Sequence, residues 1–226
     1  MKPQKDQVIV VGRINYSESD RIITCISISH GKLSLLAKGS RKPKSKLVGG
    51  IELLSLSEIT YVEGKGDLGI LTSARMVKSY SNILKDLNKL NLAGEVLRIF
   101  NTKTHQNIGE EYYKLLELFL SILNDNQNIE LVRNWFLAQF LRMSGHLPNL
   151  LTDNQGAALL KDQKYDFDYE QMGFREGTNY STREIKLLRV LFMETQESQT
   201  VFKLDDPKNE NIKISTLLET IFTSQV

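Results

Sequence analysis

Ile22-Ile23-Thr24-Cys25-Ile26-Ser27-Ile28, His30-Gly31-Lys32 and Leu33-Ser34-Leu35-Leu36-Ala37 decide the architecture of the first third of the chain. The first run alternates and is β-branched at nearly every step, which suits a pleated, half-buried strand. Gly31 supplies the residue a tight turn needs at positive φ, and the second run is the returning strand. Working outward, Val8-Ile9-Val10-Val11 reads as an earlier strand. Leu53 to Val62 and Leu68 to Val77 read as a further pair across Glu63-Gly64-Lys65-Gly66-Asp67. Five short strands in about eighty residues, with no helix for parallel crossovers, predict a small antiparallel barrel of the OB type.

From Ser81 the hydrophobic period becomes helical. Ile83, Leu87, Leu90, Leu97 and Phe100 form one stripe, and Tyr112, Leu115, Leu116, Phe119, Leu120 and Leu123 a second. Ile129, Val132, Phe136, Phe140 and Met143 form a third, bordered by Trp135 and Leu141. Gly145-His146-Leu147-Pro148 ends that helix. Residues 147–180 read as an irregular, polar insert. Ser181-Thr182-Arg183-Glu184 has capping-box spacing and predicts a helix through Met193, with a last one near Ile214–Phe222. The fold class is therefore α+β. A barrel domain is expected over 1–80 and a helical domain over 81–226.

The chain has 226 residues, 41% of them hydrophobic and 25% charged, which excludes wholesale disorder. No window approaches eighteen consecutive apolar residues, and no apolar stretch backs the first residues, so neither a spanning helix nor a secretory signal is expected. One cysteine, Cys25, builds neither an internal disulfide nor a thiolate zinc cage, and it reads as a buried thiol. These features predict a cytoplasmic protein. The net charge of +2 is unevenly spread: residues 1–50 carry ten Lys/Arg against three Asp/Glu, a net +7, leaving −5 on the rest. A basic head on a mildly acidic body points to a localised polyanion surface.

The sharpest feature is Lys38-Gly39-Ser40-Arg41-Lys42-Pro43-Lys44-Ser45-Lys46, five cations in nine residues between two strands. Each phosphate such a loop neutralises adds roughly 0.9 for duplex, or 0.7 for single strand, to the log–log salt slope. Arg13, Arg21, Lys32, Lys38, Arg41, Lys42, Lys44 and Lys46 are the candidate DNA contacts. Tyr16, Tyr61 and Tyr80 are the only aromatics available for base stacking there, so backbone-led, sequence-tolerant binding is expected. Gly64-Lys65-Gly66-Asp67-Leu68-Gly69 matches G-x-G-x-x-G, but strand-like sequence follows where a helix must, so it reads as a hairpin turn. Asp166, Asp168 and Glu170 could gather around a hard cation, although a solvated strand edge is the plainer interpretation. His30, His105 and His146 are scattered, and no serine has a nucleophile-elbow setting. No catalytic or metal site is read, and no cofactor is expected.

Tyr16-Ser17-Glu18-Ser19-Asp20-Arg21-Ile22-Ile23-Thr24, His30-Gly31-Lys32 and Ala37 to Lys46 resemble, in order and spacing, the bacterial recombination mediator family RecO. The family pattern is close to Y-x-E-x-D-R-(I/L)-(V/I)-T, G-K, and (A/V)-K-G-(A/S)-R-(R/K)-x-K-S-(R/K). The helical body and Gly145-His146-Leu147-Pro148 resemble it more loosely. The resemblance implies an OB-fold followed by a helical domain that in many members embeds a four-cysteine zinc ribbon. Residues 149–180 hold no cysteine, so a degenerate, zinc-free ribbon is expected, with Tyr165 to Tyr169 keeping a strand-like shape through packing. The resemblance also implies binding of single- and double-stranded DNA and annealing of complementary strands. With RecR, such a protein helps replace single-stranded-DNA-binding protein (SSB) by RecA.

The acidic-hydrophobic SSB tail would need an apolar groove rimmed by cations, for which Arg133, Trp135, Phe136 and Arg142 are the candidates. Arg183, Lys186 and Arg189 make a small basic helix face that would extend a DNA track. Asp20 and Glu18 suit local backbone donors at the strand entry, and Arg21 suits a carboxylate partner. A rival class is a non-catalytic adaptor whose basic loop grips an acidic partner. A third is a metal-dependent nuclease using Asp166, Asp168 and Glu170.

Overall fold

The computed structural model describes residues 2–64, 66–203 and 208–225, which divide into two compact units, Met1–Ile129 and Glu130–Val226. The first unit holds a closed barrel of five strands: β1 (Gln4–Asn15), β2 (Arg21–Ser27), β3 (Gly31–Ala37), β4 (Ser55–Val62) and β5 (Leu68–Ser79). Around the barrel the order is β1-β2-β3-β5-β4. Every pairing is antiparallel except β3 with β5, which closes the barrel in parallel, Leu35 opposite Gly69. Inward-facing Val8, Ile23, Cys25, Leu35, Ala37, Ile59, Tyr61 and Leu71 form its core, the alternate residues of each strand. Cys25 is fully buried there, and burial pushes its thiol pKa upward.

The two predicted turns are present. Gly31 sits at φ +68°, and Gly66 at φ +69° in the hairpin that opens β5, not a helix; Lys65 beside it lies outside the described residues. A glycine at 31 is needed twice over, since a Cβ there would lie 2.4 Å from the Gln106 carbonyl oxygen.

The barrel ends at Ser79, yet its compact unit continues to residue 129, beyond the boundary expected at residue 80. The reason is that α2 (Leu87–Lys103) packs on β1, and α3 (Glu110–Asp125) packs on β1, β2 and β3. Where one helix was expected after Ser81 there are two, α1 (Ser81–Lys85) and α2 (Leu87–Lys103). Asp86 separates them: its carboxylate accepts from the backbone N–H of Asn88 and Lys89, a new N-cap that resets the helical phase. Of the expected stripe, Ile83, Leu97 and Phe100 are buried, whereas Leu87 and Leu90 are consequently exposed and Leu92 and Val96 take their place in the core. In α3 (Glu110–Asp125) the predicted stripe is buried, with Tyr113 rather than Tyr112 at its start.

The second unit is organised around α4 (Ile129–Met143), in which every residue from Asn134 to Leu141 is buried. A helix apolar on all sides is a core helix, not an amphipathic one. Its fully buried Trp135 and Gln139 side chains are hydrogen-bonded. Gln139 donates to the carbonyls of Leu191 and Met193 beyond α5 (Thr182–Leu191), and the Trp135 indole donates to Ser198 Oγ at 2.8 Å. The Ser181–Glu184 capping box opens α5. The segment expected to be irregular carries a small antiparallel sheet, β6 (Lys164–Asp168), β7 (Gly173–Glu176) and β8 (Tyr180–Ser181), ordered β7-β6-β8. Edge-to-face rings join its strands, Phe167 to Phe174 at 5.2 Å and Phe174 to Tyr180 at 5.9 Å between centroids. The short helix α6 (Thr195–Ser198) and the longer α7 (Lys208–Gln225) complete the unit. Among the described residues no helix is long and apolar enough to cross a membrane.

Gly31→Ala is expected to destabilise the protein by more than about 1 kcal/mol, because the new Cβ meets both a positive φ and a fixed carbonyl. Urea unfolding should show a lower midpoint at unchanged slope.

Candidate nucleic-acid interface

The basic loop leaves β3 through a turn that the sequence specifies closely. Gly39 takes φ +65°, and the Ser40 N–H donates back to the Ala37 carbonyl at 3.4 Å. Pro43 starts the next turn, closed by the Ser45 N–H on the Lys42 carbonyl at 3.0 Å. What ties this loop to the barrel is the turn between β1 and β2. Asp20 Oδ1 accepts from the Gly39 N–H at 2.8 Å and from Ser19 Oγ at 2.9 Å. Arg41 adds two bonds, its N–H to the Ser19 carbonyl at 2.9 Å and its guanidinium to the Ser17 carbonyl at 2.7 Å. The Gly39 hydrogen bond, chiefly, holds the Asp20 carboxyl below the usual carboxylate range, with Ser19, Ser17 and the charge of Lys38 assisting.

Lys38, Arg41, Lys42, Lys44 and Lys46 are all exposed, and among the described residues none forms an ion pair. The loop therefore presents five cations to solvent without internal neutralisation. The remaining candidates differ. Arg13 is ion-paired to Glu52 at 2.7 Å. Arg21 meets the amide oxygen of Asn15 at 3.3 Å, not the carboxylate expected for it. Lys32 is turned inward: its ammonium donates to the carbonyls of Asn101 at 2.5 Å and Thr104 at 3.1 Å, at the C-terminal end of α2. A cation suits that helix end, and desolvation lowers the Lys32 pKa. Lys32 is thus a staple between barrel and helix. Of the three tyrosines, Tyr61 and Tyr80 are buried and only Tyr16 faces solvent.

The groove expected around Arg133, Trp135, Phe136 and Arg142 is absent at those residues. Trp135 and Phe136 have no exposed surface, because α4 is the central helix of its unit. Arg133 pairs with Glu219 and Arg142 with Glu194, so both cations are already engaged. The uninterrupted apolar run Trp135-Phe136-Leu137-Ala138 was the signal for burial on all sides. In the basic face of α5, Arg189 donates to the Leu150 carbonyl at 2.6 Å, which leaves Lys186 exposed beside Arg183.

Asp166 and Asp168 are spent locally. Asp166 accepts from the N–H groups of Thr178 and Asn179 and from the Asn179 side chain, and the first of these bonds chiefly lowers its pKa. Asp168 accepts from the N–H groups of Glu170 and Gln171. Among the described residues no three His, Cys, Asp or Glu side chains gather as a metal site requires. One cluster went unread in the sequence: buried Asp6 accepts from Ser27 and Ser29 and contacts His30 Nδ1 at 2.9 Å. Ser27 is itself buried and bonded to backbone N–H groups of the hairpin, so this network braces the β2–β3 turn.

Residues 1–80 match the family model described as recombination protein O N terminal. The chain is 34% identical to the DNA repair protein RecO of Acetivibrio thermocellus over 175 residues, covering 75% of this chain and 68% of that protein. It is 26% identical to the DNA repair protein RecO of Desulforamulus reducens over 222 residues, 97% and 85% of the two chains. The corresponding figures for the Listeria monocytogenes protein of that name are 24% over 223 residues, 94% and 83%.

A carboxyl held below its ordinary value stabilises the fold above that value, and the contribution is lost as pH falls through the folded-state value. The Asp20–Gly39 contact should therefore persist at neutral pH and fail only in acid, below the ordinary 3.8. Following the Gly39 amide by NMR should give a transition below that pH; one at or above it would contradict the anchoring role. Asp20→Ala should leave the Gly39 amide fast-exchanging at neutral pH.

Proposed function

The chain belongs to the RecO family of DNA repair proteins, and on that premise we propose that it binds single- and double-stranded DNA through the loop Lys38–Lys46. The observation that carries this proposal is the five exposed cations of that loop, none in an ion pair among the described residues and anchored through Asp20. Annealing complementary strands requires a surface that neutralises two backbones without selecting bases. A flexible row of lysines beside one arginine supplies that, since phosphate contacts position a nucleic acid without reading it. Lys38, Arg41, Lys42, Lys44 and Lys46 are the principal contacts, with Arg21 at the barrel rim beside them. Arg13 contributes only if DNA displaces Glu52.

In this reading the protein is a non-catalytic mediator. It holds DNA while RecR acts with it, SSB is displaced and RecA is loaded. An acidic partner tail would be attracted to the same cations, so the adaptor alternative competes for the same surface and is separated by the DNA measurement itself.

The test is fluorescence anisotropy of labelled oligonucleotides over a salt series, with Arg41→Glu, Lys42→Glu, Lys44→Glu and Lys46→Glu combined in one variant. Wild type should bind with a steep salt slope, and the variant should lose roughly 0.7 of slope for each single-strand phosphate contact removed. Annealing of complementary strands should fall with it. Equal, weak binding by both proteins would refute the proposal and favour the adaptor.

A further inference from the structure

One outward-facing row crosses all five strands of the barrel. Ile14 pairs with Ile22, Ile22 with Leu36, Leu36 with Ile70, and Ile70 with Val62. Their strand neighbours Ile23, Leu35, Leu71 and Tyr61 point inward and are buried, so the five apolar side chains of the row stand on the outer surface. Elsewhere that surface is covered, with Ile9 and Ile26 fully buried where α2 and α3 pack on the strands. The row is not covered to that degree: Ile14 is 63% exposed, and Ile22, Leu36, Ile70 and Val62 are half-buried.

The next step along the sheet brings in the basic loop. Tyr16 lies two residues beyond Ile14, Asp20 two before Ile22, and Lys38 two beyond Leu36. The Tyr16 N–H donates to the Asp20 carbonyl at 3.1 Å, which continues the β1–β2 pairing past its last ladder residue. Tyr16 is 61% exposed, and the residue after it, Ser17, receives the Arg41 guanidinium. An aromatic ring and an apolar strip thus adjoin the cations of Lys38 and Arg41. An isolated exposed ring needs no explanation, but one placed where a phosphate track meets an apolar strip has the composition of a single-strand site.

We propose that single-stranded DNA lies across this face with a base stacked on Tyr16 and its neighbours against Ile14 and Ile22, while Lys38 and Arg41 take the adjoining phosphates. The inference rests on the DNA-binding proposal above and adds to it a contact that only unpaired bases can make. A duplex hides its base faces in the stack and meets the cations alone. The barrel would therefore hold both forms by charge and favour the unpaired strand by stacking. That preference suits a protein that must keep a strand available for pairing.

The experiment compares wild type, Tyr16→Ala and Tyr16→Phe on three probes of equal length: a base-bearing single strand, an abasic single strand and a duplex. Tyr16→Ala should bind the base-bearing strand at least about fivefold more weakly, the lower end for one base stacked on one ring. Its salt slope should equal that of wild type, because no phosphate contact is lost. Tyr16→Phe should bind as wild type does, and the abasic strand and the duplex should not distinguish the three proteins. The proposal is overturned if Tyr16→Ala binds the base-bearing strand normally, as expected of a face that serves a protein partner. It is also overturned if wild type binds abasic and base-bearing strands alike, or if duplex binding falls equally. Absence of any DNA binding by wild type would instead remove the DNA-binding proposal itself.

Discussion

The hydrogen bond from the Gly39 N–H to the Asp20 carboxylate is the constraint on which the functional surface depends. Five cations within nine residues repel one another, by about 1 kcal/mol for a pair at 4 Å in water, and nothing in their own sequence opposes that repulsion. The turn between β1 and β2 supplies the opposition. It fixes the first turn of the loop through Asp20, Ser19 and Ser17, and it draws Arg41 back through two carbonyls. The charge of Lys44 and Lys46 is left unattached beyond that anchor. The loop is thus held to the barrel at its first turn through Asp20 and at its far end by Leu47, which packs on the barrel core, while its cations face solvent.

The barrel divides its labour by side-chain direction. Inward residues make a dry core with a single buried thiol, and outward residues either receive helices or stay open. Lys32 shows how closely these roles lie. It stands on β3 a few residues before the loop, yet its ammonium closes the end of α2. The helical unit is built differently, around one helix whose central residues, Asn134 to Leu141, are all buried. That construction buries Trp135 and Phe136 and pairs Arg133 with Glu219 and Arg142 with Glu194.

How much of this was legible in the sequence follows from how local each determinant is. The strands, the two glycine turns, the capping box and the basic loop rest on neighbouring residues, and each is found where its local chemistry places it. The parallel β3–β5 seam, the Arg13–Glu52 pair and the inward turn of Lys32 rest on contacts distant in sequence, which a pattern of alternation does not encode. Asp86 is an intermediate case. Its capping chemistry is ordinary, but the heptad-like spacing of Leu87 and Leu90 disguised the break. In α4 an apolar run on both faces of the helix means burial, and aromatic residues within it mark the core before they mark a groove. The 166–170 carboxylates were outweighed by N–H groups from the following turn, which the segment's glycines and asparagines foreshadow.

The most direct measurement is hydrogen–deuterium exchange of the whole protein with and without a single-stranded oligonucleotide. If the anchored loop is the DNA surface, protection on binding should concentrate in residues 14–22 and 36–46 and leave the helices of the second unit unchanged. Protection confined to the second unit, with the loop and the β1–β2 turn unaffected, would contradict the account.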